Sequence, residues 1–104
     1  MSTRIIFEPK ISAGVEARLF DFTSQLAVGE TLVTPTVTVT VYSGVDASPL
    51  SMLSGSATVS GKQIRQLFTG GTAGVIYDLR CGVTTSAGQT LEQTAYLAVV
   101  PNLP

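Results

Sequence analysis

Hydrophobic and polar positions alternate most regularly between residues 75 and 100. In "VIYDLRCGV", Tyr77, Leu79, Cys81 and Val83 share one parity, while Asp78, Arg80 and Gly82 take the other. A period of two marks a strand with one buried face. "TLEQTAYLAVV" repeats the pattern with Leu91, Gln93, Ala95, Leu97 and Val99. Together the segments predict an antiparallel hairpin, and parity selects its turn. A two-residue loop at Ala87-Gly88 would set Val83 against Glu92 and mix the faces. A three-residue loop, Ser86-Ala87-Gly88, sets Val83 against Leu91, Leu79 against Ala95 and Tyr77 against Leu97. It also puts Gly88 where such loops need a left-handed residue.

Upstream, "TLVTPTVTVTVYSG" alternates Val33, Val37, Val39 and Val41 with Thr34, Thr36, Thr38, Thr40 and Tyr42. The β-branched content predicts a strand, and Pro35, which cannot donate to a ladder, predicts an edge or a bulge. "RLFDFT" sets Phe20 and Phe22 on one face, "KQIRQLF" is a weaker strand ending at Phe68, and "SATVSG" is a short one. Gly-containing pairs at 43–44, 54–55, 60–61 and 70–71 punctuate the chain. Short strands with turns at this spacing predict an all-β protein, a single immunoglobulin-like antiparallel β-sandwich. The run "VDASPLSML" reads as one helical turn at an end of the sandwich. Residues 1–12 read as an extended N-terminal arm, 13–100 as the sandwich and 101–104 as a C-terminal tail.

Composition narrows the chemistry. The chain has 104 residues, 44% of them hydrophobic and only 12% charged, with a net charge of −1. That is one domain with a modest core, its surface rich in Ser, Thr and Gly. The six basic residues are scattered, so a nucleic-acid partner is not expected. No apolar run approaches the ~20 residues of a bilayer span, and no basic amphipathic segment suits a membrane surface. The lone Cys81 excludes an intramolecular disulfide and reads as a small buried hydrophobe. "MSTRIIFEPK" has no apolar signal region, so synthesis and folding in the cytoplasm are expected.

Histidine is absent, which removes the usual general base and the commonest metal ligand. Asp46 in "SGVDAS" reads as closing an Asx-turn. The carboxylates lack calcium-loop spacing, and "TGGTAG" lacks the lysine and strand-to-helix setting of a phosphate loop. No metal, cofactor or catalytic residue is expected; for a hydrolase, a clustered pair among Asp21, Asp46, Asp78 and Glu92 would be needed. Tyr77 starts a strand after a glycine-bearing corner. It reads as the tyrosine corner of immunoglobulin-like sandwiches or as a plain core Tyr with its hydroxyl at the rim. Asp21 reads either as part of a polar strand face or as an acceptor for loop amides that fixes its corner.

"DFTSQLAVGETL" resembles a segment, D-[FYW]-[ST]-x-x-L-x-x-G-[DE]-[ST]-[IL], of short proteins from tailed bacteriophages. There a Ser/Thr/Val strand follows, then elements like "GVDASPLSMLSGSATVSG" and "GGTAGVIYDLRCGVTTSAGQTLE". Over residues 19 to 99 the chain is similar to the phage fibre–tail adaptors, small immunoglobulin-like virion components of the neck or tail. Some relatives begin with an acidic run, whereas this chain carries three basic residues by position 18. The resemblance transfers no catalytic residue.

It implies a virion structural protein, joining fibre to tail or neck by rigid docking to other virion proteins and to copies of itself in a ring. An extended arm has the means to add a strand to a neighbouring sheet. Expected contacts are Ile5, Ile6, Phe7 and Pro9 of the arm and Val45, Pro49, Leu50, Met52 and Leu53 of the loop. For each, local packing over an end of the sandwich is the competing expectation. A capsid decoration protein is the alternative in the same class. A carbohydrate-binding module ranks lower, since there is no Trp and all three tyrosines fall within strand patterns; an exposed aromatic pair would revive it.

Overall fold

The computed structural model describes residues 5–101. Within them the chain forms eight strands: β1 (Ile5–Ile6), β2 (Lys10–Ile11), β3 (Val15–Asp21), β4 (Leu32–Ser43), β5 (Leu53–Ser60), β6 (Gln63–Thr69), β7 (Ile76–Thr85) and β8 (Thr90–Val100). Single 3-10 turns occur at Thr23–Gln25 and Pro49–Met52. The strands make a sandwich. One sheet runs β1-β8-β7-β4, with β2 also on β8, and the other runs β3-β6-β5.

The hairpin β7–β8 has the register that parity demands: Tyr77 opposite Leu97, Leu79 opposite Ala95 and Val83 opposite Leu91. Its turn is the three-residue loop. Thr85 and Gln89 close it through the Thr85 N–H to Gln89 carbonyl bond of 2.8 Å, and Gly88 sits at φ 83°. That dihedral is nearly strain-free only for glycine.

Inward-facing residues of the two sheets meet in one core. Phe20, Ile64 and Phe68 of the smaller sheet pack toward Val37, Val39, Leu79, Cys81, Ala95, Leu97 and Val99 of the larger, joined by Phe22 and Met52. Cys81 is buried, and burial pushes its thiol up to about 12, so it is an inert packing residue.

One alternation breaks. The pattern groups Val33 with Val37, yet Leu32 is buried at 4% exposure and Val33 is exposed at 41%. The cause is a bulge at Pro35. Between Val33 and Thr36 the register on β7 advances only from Thr84 to Gly82, so β4 carries one extra residue. An extra residue inverts side-chain parity beyond it. Thr34 takes the strain at φ 47°, a left-handed conformation rarely adopted by a β-branched residue.

A second bulge, on β5 between Ser54 and Thr58, explains a buried polar residue. Gln66 points inward beside Ile64 and Phe68 and is 2% exposed. Its amide donates to the carbonyls of Gly55 (3.1 Å) and Leu67 (2.8 Å). The bulge takes the Gly55 carbonyl out of the regular ladder, and Gln66 satisfies it.

Of the expected N-terminal arm, residues 1–4 lie outside the described residues, and the part from Ile5 onward lies on the body of the sandwich. β1 and β2 both run parallel to β8, with Ile5 opposite Ala95, Ile6 opposite Tyr96, Lys10 opposite Val99 and Ile11 opposite Val100. Of the C-terminal tail, only Pro101 falls among the described residues.

The bulge at Pro35 sets a test by substitution. Leu32→Ala should destabilise by about 2–5 kcal/mol, as for a buried leucine. Val33→Ala should cost under about 1 kcal/mol. Urea denaturation of both variants checks this, and the reverse ranking would mean that β4 has no parity shift.

Candidate functional site

Four of the polar side chains that could do chemistry, Asp21, Glu30, Asp46 and Tyr77, are occupied in holding loops. At one end of the sandwich, the buried Tyr77 hydroxyl accepts the Thr72 N–H (2.9 Å) and donates to Asp46 Oδ2 (2.5 Å). Asp46 Oδ1 accepts the Ser48 N–H at 2.9 Å, an Asx-turn. These bonds join the β4–β5 loop to the β6–β7 loop. The β6–β7 loop lies close over the core: a Cβ on Gly71, whose φ is 97°, would come within 2.8 Å of Val99 Cγ2 and 3.1 Å of Met52 Cε. Hydrogen bonds from the Tyr77 hydroxyl and the Ser48 N–H hold the Asp46 carboxyl below its ordinary 3.8. Burial, with Asp46 alongside, raises the Tyr77 phenol, which stays protonated and able to donate.

The opposite end has its own ties. Thr85 Oγ1 donates to Glu30 Oε2, and Glu30 Oε1 accepts the Ala27 N–H at 2.9 Å. The Thr31 N–H donates to Ser86 Oγ, and the Ser86 N–H to the Thr31 carbonyl, both at 2.9 Å. Asp21 Oδ1 accepts from the Thr23 hydroxyl (2.6 Å) and N–H (2.9 Å). Gln93, inward-facing on β8, donates to the Asp21 carbonyl (2.6 Å) and to Gln25 Oε1 (2.8 Å). These bonds lower the Glu30 and Asp21 carboxyls, the threonine hydroxyl leading in each case.

Asp21 and Asp46 thus stand at opposite ends. Asp78 and Glu92 lie on the outer face of the hairpin, opposite Tyr96 and Gly82 respectively. Among the described residues no cluster of His, Cys, Asp and Glu is arranged to hold a metal.

The surface offers apolar contact instead. On β8 the outward residues are Tyr96, Ala98 and Val100, flanked by outward Ile6 of β1, Ile76 of β7 and Tyr42 of β4. The rings of Tyr42 and Tyr96 lie 4.5 Å apart, tilted by 49°. Ile6 is 81% exposed and Tyr42 59%. With Phe7, Pro9, Ile76 and Ala98 they line a groove of about 260 Å³.

The residues expected as contacts divide. Ile6, Phe7 and Pro9 line this groove, although Phe7 also packs edge-on to Phe20 at a centroid distance of 5.3 Å. Ile5 is half-buried against the core. In the loop, Val45 and Leu50 are exposed and Pro49 is intermediate, whereas Met52 is fully buried and Leu53 packs on the core. The 3-10 turn has one inner side, and Met52 fills it.

Sequence reasoning missed Tyr42, Ile76 and Tyr96 at the groove. The available signal was parity: Tyr42 sits on the threonine face of its strand, and Tyr96 and Ala98 on the polar face of theirs. It also missed Lys10, fully buried, with Nζ donating to the carbonyls of Ile11 (2.8 Å) and Gly70 (2.7 Å). Burial pushes this ammonium down from its ordinary value, partly opposed by the nearby Glu16 carboxylate.

Non-catalytic loop ties beside an exposed apolar groove describe a protein that docks. The model of the podophage GP4 fiber-tail adaptor protein gp77 family matches residues 12–98. The chain belongs to that family. It is a structural, non-catalytic virion protein, an adaptor between fibre and tail. No curated protein matches the chain.

The corner at Tyr77 yields a stability test. Tyr77→Phe leaves the Thr72 N–H without its acceptor and should cost about 1–3 kcal/mol. Acid adds a second readout. Folded-state values below the ordinary 3.8 of Asp21 and Asp46 and 4.5 of Glu30 mean that these carboxylates stabilise the fold fully above those values. That contribution is lost as pH falls through the lower folded values. Denaturation midpoints from about pH 6 to about pH 2 should therefore decline, and less steeply in Tyr77→Phe, where Asp46 has lost its hydroxyl donor. Equal slopes would mean that the bond to Asp46 does not bias its titration.

Proposed function

We propose that the adaptor works as a rigid immunoglobulin-like module that docks a fibre or tail protein through the groove beside β1. The observation that carries this reading is the apolar set of exposed Ile6 and Tyr42 with half-buried Tyr96, which together with Ile76 and Ala98 lines one groove on the outer face. Contiguous apolar surface of this kind marks protein contact sites, and paired tyrosines supply rigid contact area at low entropic cost. The partner that fits is a virion protein presenting apolar side chains, because a charge entering this groove would be desolvated with little in return.

The immunoglobulin-like assignment draws support from strand order. The larger sheet sets an N-terminal strand parallel to the last strand, followed by the penultimate strand and the long β4; the smaller has order β3-β6-β5. The Tyr77 hydroxyl bonded to backbone upstream of its strand supports the same reading. In this scheme residues 1–12 are the arm, 13–100 the sandwich and 101–104 the tail. Val45, Pro49 and Leu50 form a second contact at the loop end, as an adaptor joining two partners requires. Several copies stand in a ring set by the symmetry of the tail.

The Tyr42–Tyr96 pair also favours a second reading, an aromatic platform for a sugar ring. The groove speaks against it: apart from the tyrosine hydroxyls, its lining has no side chain able to bond sugar hydroxyls. Family membership likewise favours the fibre–tail position over the capsid shell.

The experiment substitutes Ile6→Asp and, separately, Tyr42→Ser, and measures fibre content of purified particles together with adaptor stability. Each should lower docking affinity at least about 30-fold, the effect of a hot-spot residue, with the melting transition retained. Normal fibre content in both variants would overturn the groove as the docking site. Sugar binding lost on Tyr42→Ser, with fibre content unchanged, would transfer the face to the second reading.

A further inference from the structure

β4 ends the larger sheet and β5 the smaller, and on this edge of the sandwich both strands are bulged. On β4 the extra residue falls at Thr34-Pro35. On β5 the steps from Ser54 to Thr58 are matched on β6 only by those from Leu67 to Arg65. Between the bulges opens a notch of about 250 Å³, with Pro35 and Val37 on one wall, Leu53, Ser56 and Ala57 on the other, and the buried Gln66 between them. A Cβ added to Gly55, which also lines it, would meet nothing within 4 Å. The orientation of the Gln66 amide is fixed, because only an NH2 group can donate to the Gly55 and Leu67 carbonyls together. Both amide protons are thereby used. Its Oε1 is left as an acceptor that no donor among the described residues reaches. A bulged edge deters strand addition, which accounts for the bulges but neither for the space nor for a free acceptor on a buried side chain.

We propose that this notch binds an uncharged carboxamide, the head of an Asn or Gln side chain carried by a partner virion protein, with its NH2 donating to Gln66 Oε1. The lining selects the chemistry. It holds no charged side chain, so an entering ammonium or carboxylate would be desolvated without a counter-charge. A purely apolar group would strip solvent from Oε1 and return no donor. A strand is shut out as well, because Pro35 has no N–H and the bulges break the ladder repeat. Among neutral donors the carboxamide fits best. It has a second proton and a carbonyl for backbone groups that the bulges leave out of the ladders, whereas a hydroxyl has a single proton. Its aliphatic stem would lie along Val37, Leu53 and Ala57. That the partner is a virion protein rests on family membership; the site itself stands on residues other than those of the groove.

The test titrates isotope-labelled full-length protein with butyramide, which mimics a Gln side chain, and with methyl propyl ketone and butyrate, which match its size but lack the donor. Butyramide should produce saturating NMR shifts of the Gln66 side-chain NH2 and of the Ser56 and Ala57 N–H signals. Its Kd should lie at least about tenfold below those of the other two compounds, the worth of one hydrogen bond. Ser56→Phe, at an exposed position, fills the notch without removing either Gln66 bond. It should abolish the shifts and leave the melting transition in place, and particles carrying it should lose adaptor or fibre. Equal responses to the three compounds, or none to butyramide, would overturn carboxamide recognition. Selective binding with adaptor and fibre content unchanged in Ser56→Phe particles would overturn the partner side chain as occupant and leave the notch to free carboxamides. Ile6 and Tyr42 are unaltered throughout, so either failure is distinct from a failure of the groove.

Discussion

Every strand of the larger sheet pairs with β7 or β8, so the register of that hairpin is the constraint on which the rest depends. β4 takes its position from β7, and β1 and β2 from β8. The register is fixed by the turn at Ser86-Ala87-Gly88, where glycine supplies the positive φ that a three-residue loop needs. A slip of one residue would turn Leu79, Cys81, Ala95 and Leu97 out of the core together. It would also bring Tyr77, and with it the loop corner at Asp46, to the wrong face.

With the sheet so fixed, the polar groups serve mainly to hold the ends still. Tyr77, Asp46 and Thr72 tie two loops at one end, and Glu30, Thr85, Thr31 and Ser86 tie two more at the other. The β6–β7 loop lies over buried Val99 and Met52, where backbone groups without partners would be costly. The result is a body whose surfaces are presented in fixed positions, which suits an adaptor between a fibre and a tail. A side chain engaged in this way is not available for acid–base chemistry, and the family has none.

The arm side is tied to the same loop end. Lys10 is an expensive residue to bury, and it is held by carbonyl oxygens of its own segment and of Gly70. Those bonds fasten the arm to the loop that the Tyr77 corner also holds. Among the described residues, β1 on the other side of Pro9 pairs with β8 at Ile5 and Ile6, as β2 does at Lys10 and Ile11, and it borders the tyrosine groove.

The sequence by itself determined the six longer strands, the hairpin register and the core of the larger sheet, because period-two alternation and turn chemistry are local properties. It also determined that the chain lacks a histidine base, and the phage resemblance was legible in the order of its segments. Tertiary structure decided what depends on residues distant in the chain. Val33 faces outward because a bulge at Pro35 shifts parity, and no pattern within the strand reports an extra residue without its partner strand. Lys10 and Gln66 are buried because carbonyls of Gly70 and Gly55 await them, which local hydrophobicity cannot register. The groove exists because three outward residues, Tyr42, Ile76 and Tyr96, belong to three strands that pairing makes neighbours. Met52 left the expected contact surface because a single helical turn has one inner side, and the core decides which residue fills it.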